Sequence, residues 1–177
     1  LDRDARVKTL TEQGLEAIWL FPTLGVLYEE LLKQDPEGVM LTFRAFNEWL
    51  YEDWGFDYQG KIFSAPYISL AVLDDAIAEL ERSLERGARI ICIRPAAVYS
   101  PMGSRAPSDP HFDPFWARVN EAGISVIIHA GDSGYSSQGY AEDRFGATFS
   151  GGFRPSVRTW AIERACQDFL ATLMFDK

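Results

Sequence analysis

The feature that most constrains the fold is a pattern that occurs three times, in which a polar helix end, a glycine and a short apolar run follow one another. Gly14, Gly87 and Gly123 precede the runs LEAIWLFP, ARIICIRP and ISVIIHAG. Glycine is favoured just past a helix end because it adopts the left-handed conformation without strain. Continuous apolar runs are typical of parallel strands buried on both faces. The pattern therefore predicts an α/β protein with a parallel sheet.

The spacing of these glycines indicates a fourth strand. The gap between Gly14 and Gly87 is about twice the gap between Gly87 and Gly123, and the run IFSAPYIS from Ile62 to Ser69 fills the missing position. At this period, an eight-stranded (β/α) barrel would have about 290 residues, which is within the range of that fold. The chain is therefore predicted to supply four parallel strands of a partial barrel. A complete small doubly wound sheet remains the alternative on pattern alone.

Apolar side chains recur at helical spacing between and after the predicted strands, with charged side chains on the opposite face. These stripes predict helices over residues 36–54, 73–84, 114–122 and 156–173. No linker interrupts the pattern, and the length is that of one domain by the usual prior. We therefore expect residues 1–177 to form a single domain.

Composition excludes several classes of partner. The chain has 17 Lys and Arg against 26 Asp and Glu, a net charge of −9, which argues against a nucleic acid or an anionic membrane surface. Residues 1–9 are too charged for a signal peptide, and no run of ~18 apolar residues could span a membrane. Cys92 and Cys166 lack metal or redox spacing and are expected to be buried thiols in a reducing compartment. A cytoplasmic protein is predicted.

Functional side chains of parallel α/β folds lie at the carboxyl ends of strands and in the loops that follow. His129 ends the run VIIH, where a neutral imidazole is a common ligand of zinc; a hydrogen-bonded structural histidine is the alternative. Arg94 ends another run and needs an anionic partner, which is either a substrate carboxylate or a neighbouring acid such as Asp132. His111 is expected in a solvated loop. The glycine-rich loop 131–152, which includes Tyr135, is typical of an active-site lid.

The segments FNEWLYEDW, AIAELERSLERGAR, IICIRPA and above all DPHFDPFWARVNEAGISVIIHAGDSGY resemble the amidohydrolase-related family, which includes aminocarboxymuconate-semialdehyde decarboxylase. The resemblance implies a metal-dependent (β/α)₈ barrel with one divalent ion, zinc or manganese. It places this chain from the second to the fifth barrel strand. It also implies that His129, at the end of the fifth strand, is a metal ligand or lies next to the metal. Arg94 and Tyr135 are then expected to bind a small carboxylate-bearing substrate.

The resemblance is incomplete in one respect. Family members carry an HxH pair on the first strand, a histidine on the sixth and an aspartate on the eighth, and none of these occurs in the chain. The expected function is therefore a metal-dependent hydrolase or carboxy-lyase, inactive as residues 1–177 alone, which forms a homo-oligomer, most simply a dimer. The alternative is a non-catalytic α/β module that associates with another protein chain through its acidic helical surface or its open sheet edges.

Overall fold

A computed structural model describes residues 2–22, 25–100, 102–129 and 166–174, with no account of the side chains of residues 25–27. Its strands are β1 (Ile18–Leu20), β2 (Asp57–Tyr58), β3 (Ile62–Ser64), β4 (Ile90–Ile93) and β5 (Ser125–Ile128). Its helices are α1 (Arg3–Glu12), α2 (Gly25–Leu32), α3 (Pro36–Trp54), α4 (Leu73–Glu85) and α5 (Asp113–Ala122). Residues 110–112 form a 3₁₀ turn and residues 166–174 are helical. None of the described helices is long and apolar enough to cross a membrane.

Each of the four apolar runs contains a strand, and these four strands lie side by side. β1 pairs with β3 in parallel and β4 pairs with β5 in parallel. A parallel bridge between Tyr67 and Cys92 joins the two pairs, with Ile68 N donating to Cys92 O at 2.9 Å and Cys92 N donating to Pro66 O at 2.8 Å. The order of the parallel strands is therefore β1-β3-β4-β5, which is the order of the chain.

One element corrects the expectation of a purely parallel sheet. β2 is antiparallel to β3, with Asp57 opposite Phe63 and Tyr58 opposite Ile62. The turn between them has Gln59 at φ 56° and Gly60 at φ 62°, the paired left-handed residues that two-residue hairpins favour. Asp57 closes the turn by accepting a hydrogen bond from Gly60 N at 3.0 Å. β2 contains only two residues, both polar, so it shows no hydrophobic pattern from which a strand could be predicted.

Helix boundaries follow the predicted end signals. Asp35 caps α3 by accepting a hydrogen bond from Gly38 N at 3.0 Å, next to a proline in the first turn, as N-terminal capping requires. α5 ends at Gly123 in the left-handed conformation, with φ 62°. The helix expected over residues 156–173 is described only from residue 166, where Phe169 is buried against α4 and α5. α2 was not predicted.

The core between helices and sheet holds side chains from both layers. One cluster packs Leu80 of α4 and Phe115 of α5, both fully buried, against Ile91 of β4. A second packs Val39 and Phe43 of α3 against residues of β4 and the end of β3, where the rings of Phe43 and Tyr67 stack at 4.2 Å. The sequence predicts that both thiols are buried. Cys92 is fully buried in the structure, whereas Cys166 is only partly buried.

Candidate active site at the carboxyl ends of the strands

His129 follows β5 and extends its pairing with β4. Its backbone N–H donates to Ile93 O at 3.4 Å. Its ring meets that of Phe21, which follows β1, edge to face with 6.0 Å between the centroids. β1 and β5 are three interstrand spacings apart, about 14 Å on a flat sheet. Rings perpendicular to a flat sheet would keep that separation, so the contact indicates a sheet that curves toward the side carrying both rings.

Arg94 follows β4 and lies on the same face as His129. The register pairs Cys92 with Ile127, and residues two positions further along parallel strands again share a face. The guanidinium of Arg94 is almost fully buried. It donates from Nη1 to Glu30 Oε2 at 2.7 Å and from Nη2 to Ala97 O at 3.4 Å. The acid that neutralises Arg94 is thus Glu30 of α2; Asp132, the partner considered from the sequence, lies outside the described residues.

A second carboxylate of α2 reaches the end of β3. Glu29 is buried and accepts hydrogen bonds from the Tyr67 hydroxyl at 2.6 Å and the Ser69 hydroxyl at 3.0 Å. Burial, and next the charge of Glu29, raise the pKa of the Tyr67 phenol well above its ordinary value. Tyr67 therefore remains a neutral donor across the working range of pH, and α2 is fixed over the strand ends by two adjacent glutamates.

Asn47 of α3 holds the backbone of the same tyrosine. Its Oδ1 accepts from Tyr67 N at 2.8 Å and its Nδ2 donates to Tyr67 O at 2.9 Å. The same Nδ2 donates to Glu79 Oε1 on α4 at 2.9 Å, and Glu79 is also paired with Arg82. The amide thus takes the place of a neighbouring strand at Tyr67, so α3, α4 and the end of β3 are joined through one buried side chain.

The remaining predicted residues are distributed as follows. His111 lies exposed in the 3₁₀ turn, where its backbone N–H donates to Asp109 Oδ1 at 2.9 Å, as expected for a loop residue. Tyr135 and the proposed lid over residues 131–152 lie outside the described residues. Sequence reasoning missed Glu29, Glu30, Asn47 and Ser69. The only signal for the glutamates was a pair of charges inside the apolar segment GVLYEELL.

The described residues do not by themselves form a metal site. Within them, no three His, Cys, Asp or Glu side chains are grouped so that they could hold an ion. His129 supplies one imidazole, whereas catalytic zinc sites use three protein ligands. At the strand ends, the structure thus places His129 against the ring of Phe21 and pairs Arg94 with Glu30.

Comparison with known proteins identifies the family of the chain. A family model described as amidohydrolase matches residues 26–173, most of the chain. The chain belongs to the amidohydrolase family. Searching the curated proteins gives no match to this amidohydrolase chain.

Solved structures show the same fold. An amidohydrolase from Mycobacterium avium subsp. paratuberculosis is 39% identical, with a TM-score of 0.84 over 99% of this chain and 44% of its own. A 2,6-dihydroxybenzoate decarboxylase from Rhizobium is 17% identical, with a TM-score of 0.71 over 99% of this chain and 51% of its own. The amidohydrolase chain described here thus spans about half the length of these relatives or less.

Proposed function

We propose that the chain is the central part of a metal-dependent (β/α)₈ barrel, with β1, β3, β4 and β5 as the second to fifth barrel strands. The observation that carries this proposal is the convergence of Phe21 and His129 on one concave face. A curved parallel sheet with consecutive strands is the geometry of a barrel wall. The family match and the partial coverage of longer relatives support it.

The proposed activity is that of a hydrolase or carboxy-lyase acting on a small carboxylate-bearing substrate. We propose that a divalent ion, zinc or manganese, is held by His129 together with ligands outside the described residues. Arg94 and Tyr135 are proposed to bind the substrate. The homodimer and the cytoplasmic location remain predictions.

Substitution of Arg94 tests the proposal that the substrate carries a carboxylate. Replacing Arg94 with Gln removes a charge-assisted contact to a carboxylate, worth about 2–3 kcal/mol. In the full-length enzyme we therefore expect KM for a carboxylate substrate to rise by about 30- to 160-fold, with kcat changed much less. Steady-state kinetics on a panel of aromatic acids measure both constants.

Arg105 offers the matched control, since it is half-exposed and pairs only with Asp109 within the described part of the chain. Arg105→Gln should leave both kinetic constants unchanged. Circular dichroism of each variant verifies that it folds, and Arg94→Lys, which keeps the charge, should recover part of the loss. An Arg94→Gln enzyme that folds and keeps its KM would refute substrate anchoring by Arg94.

A further inference from the structure

The position where a carboxylate could meet Arg94 is already taken. Arg94 and Glu30 have side chains that are 3% and 12% exposed, and their charged atoms are 2.7 Å apart. Beside the guanidinium, Glu29, Arg94 and apolar side chains line a cavity of about 10 Å³. Such a cavity admits at most one water molecule. Among the described residues, Glu30 occupies the position at which a carboxylate would pair with Arg94.

We propose that Glu30 is an internal competitor for the carboxylate site of Arg94, and that a substrate carboxylate binds by displacing it. The proposal rests on the proposed function, in which Arg94 binds the substrate. In the exchange, one carboxylate replaces another, so the buried guanidinium remains neutralised. This matters because a buried charge left without its partner is strongly unfavourable.

Glu30 also remains neutralised after it leaves Arg94. Lys33, three residues after Glu30 and just past the end of α2, already forms an ion pair with the Glu30 carboxylate. The Lys33 side chain is 25% exposed, so this pair lies closer to solvent than Arg94 does. Arg94 and the Glu30 carboxylate therefore each keep an oppositely charged partner after the exchange.

The exchange does not require α2 to unfold or leave the strand ends. Glu29, the preceding residue, keeps its hydrogen bonds to Tyr67 and Ser69 on the end of β3. These contacts do not involve the Glu30 carboxylate. A change of the Glu30 side-chain rotamer is therefore sufficient, and the rest of the site stays in place. Glu30 acts on substrate binding through Arg94, so it is a positioning residue.

The test measures binding of benzoate, an aromatic carboxylate, to the full-length protein by isothermal titration calorimetry. Benzamide, its neutral isostere, serves as the control ligand. If Arg94 is free of Glu30 in about a tenth of the molecules, removal of the competitor strengthens binding by about tenfold. Glu30→Gln should therefore bind benzoate about tenfold more tightly than the wild type does and bind benzamide unchanged. Glu37→Gln, the same change at an exposed position of α3, should bind both ligands as the wild type does.

Lys33→Gln is expected to change the affinity for benzoate in the opposite direction. Without Lys33, the Glu30 carboxylate depends more strongly on Arg94, so benzoate should bind more weakly than to the wild type. This surface change keeps the test available even if Glu30→Gln fails to fold.

The outcomes separate the competitor from the proposed function. Tighter benzoate binding by Glu30→Gln, or weaker binding by Lys33→Gln, with benzamide unaffected, supports the competitor. If Arg94→Gln abolishes benzoate binding while the Glu30 and Lys33 variants bind as the wild type does, the competitor is refuted and anchoring by Arg94 stands. If a folded Arg94→Gln binds benzoate normally, anchoring by Arg94 is itself wrong.

Discussion

Replacing Asn47 with alanine is expected to lower the free energy of unfolding by about 4 kcal/mol. Asn47 is 2% exposed, and its amide satisfies both backbone groups of Tyr67 and one oxygen of Glu79. Each buried polar group left without a partner costs about 1–3 kcal/mol, and more when it is charged. Urea denaturation followed by tryptophan fluorescence measures the loss.

Asn120 provides a matched control because it is the other asparagine of the chain and lies exposed on α5. Asn120→Ala should change stability by no more than about 0.5 kcal/mol. Asn47→Asp is expected to destabilise as well, because it places a second carboxylate beside Glu79 and removes the donor to Tyr67 O. If Asn47→Ala were as stable as Asn120→Ala, the amide would not hold the end of β3.

Alkaline pH is expected to destabilise the protein strongly. Burial, and secondarily the charge of Glu29, raise the pKa of the Cys92 thiol from 9.0 to about 12. Between these values the unfolded chain loses the thiol proton while the folded protein keeps it, so the free energy of unfolding falls as pH rises. The slope is about 1.4 kcal/mol per pH unit, or about 4 kcal/mol across the window. Tyr67, whose pKa is raised in the same direction, adds to the loss above about pH 10.

The assignment to Cys92 is tested by removing the thiol. Cys92→Ala should start from a lower stability at pH 8 but lose less of it with rising pH, by about 1.4 kcal/mol per unit. Cys166→Ala, which removes the other, partly buried thiol, should retain the wild-type slope. Equal slopes in Cys92→Ala and the wild type, from urea denaturation at several pH values, would contradict a buried neutral thiol.

Elements formed by local interactions could be predicted from the sequence, whereas an element formed by pairing with another strand could not. The strands at Ile90–Ile93 and Ser125–Ile128 and the helix at Leu73–Glu85 are local apolar patterns with clear end signals, and they lie where the sequence predicts them. β2 is two polar residues whose pairing depends on turn geometry. Local pattern could not reveal it.

For the site, the sequence indicates which residues need a partner. Arg94 at the end of an apolar run requires an anion, and the structure supplies one. The identity of that anion was not predictable, since Glu30 is 64 positions away on a helix with no clear sequence signal. For the same reason the clamp of Asn47 on Tyr67, across 20 positions, emerges only from the folded chain.

Metal content tests most directly whether His129 belongs to the metal site of an amidohydrolase barrel. Elemental analysis of the full-length protein should find about one divalent ion per chain. His129→Ala should lose that ion on dialysis, whereas His111→Ala, the same change at the other histidine, should retain it. A wild-type protein without a bound ion, or a folded His129→Ala protein that holds its ion as firmly as the wild type does, would contradict the account.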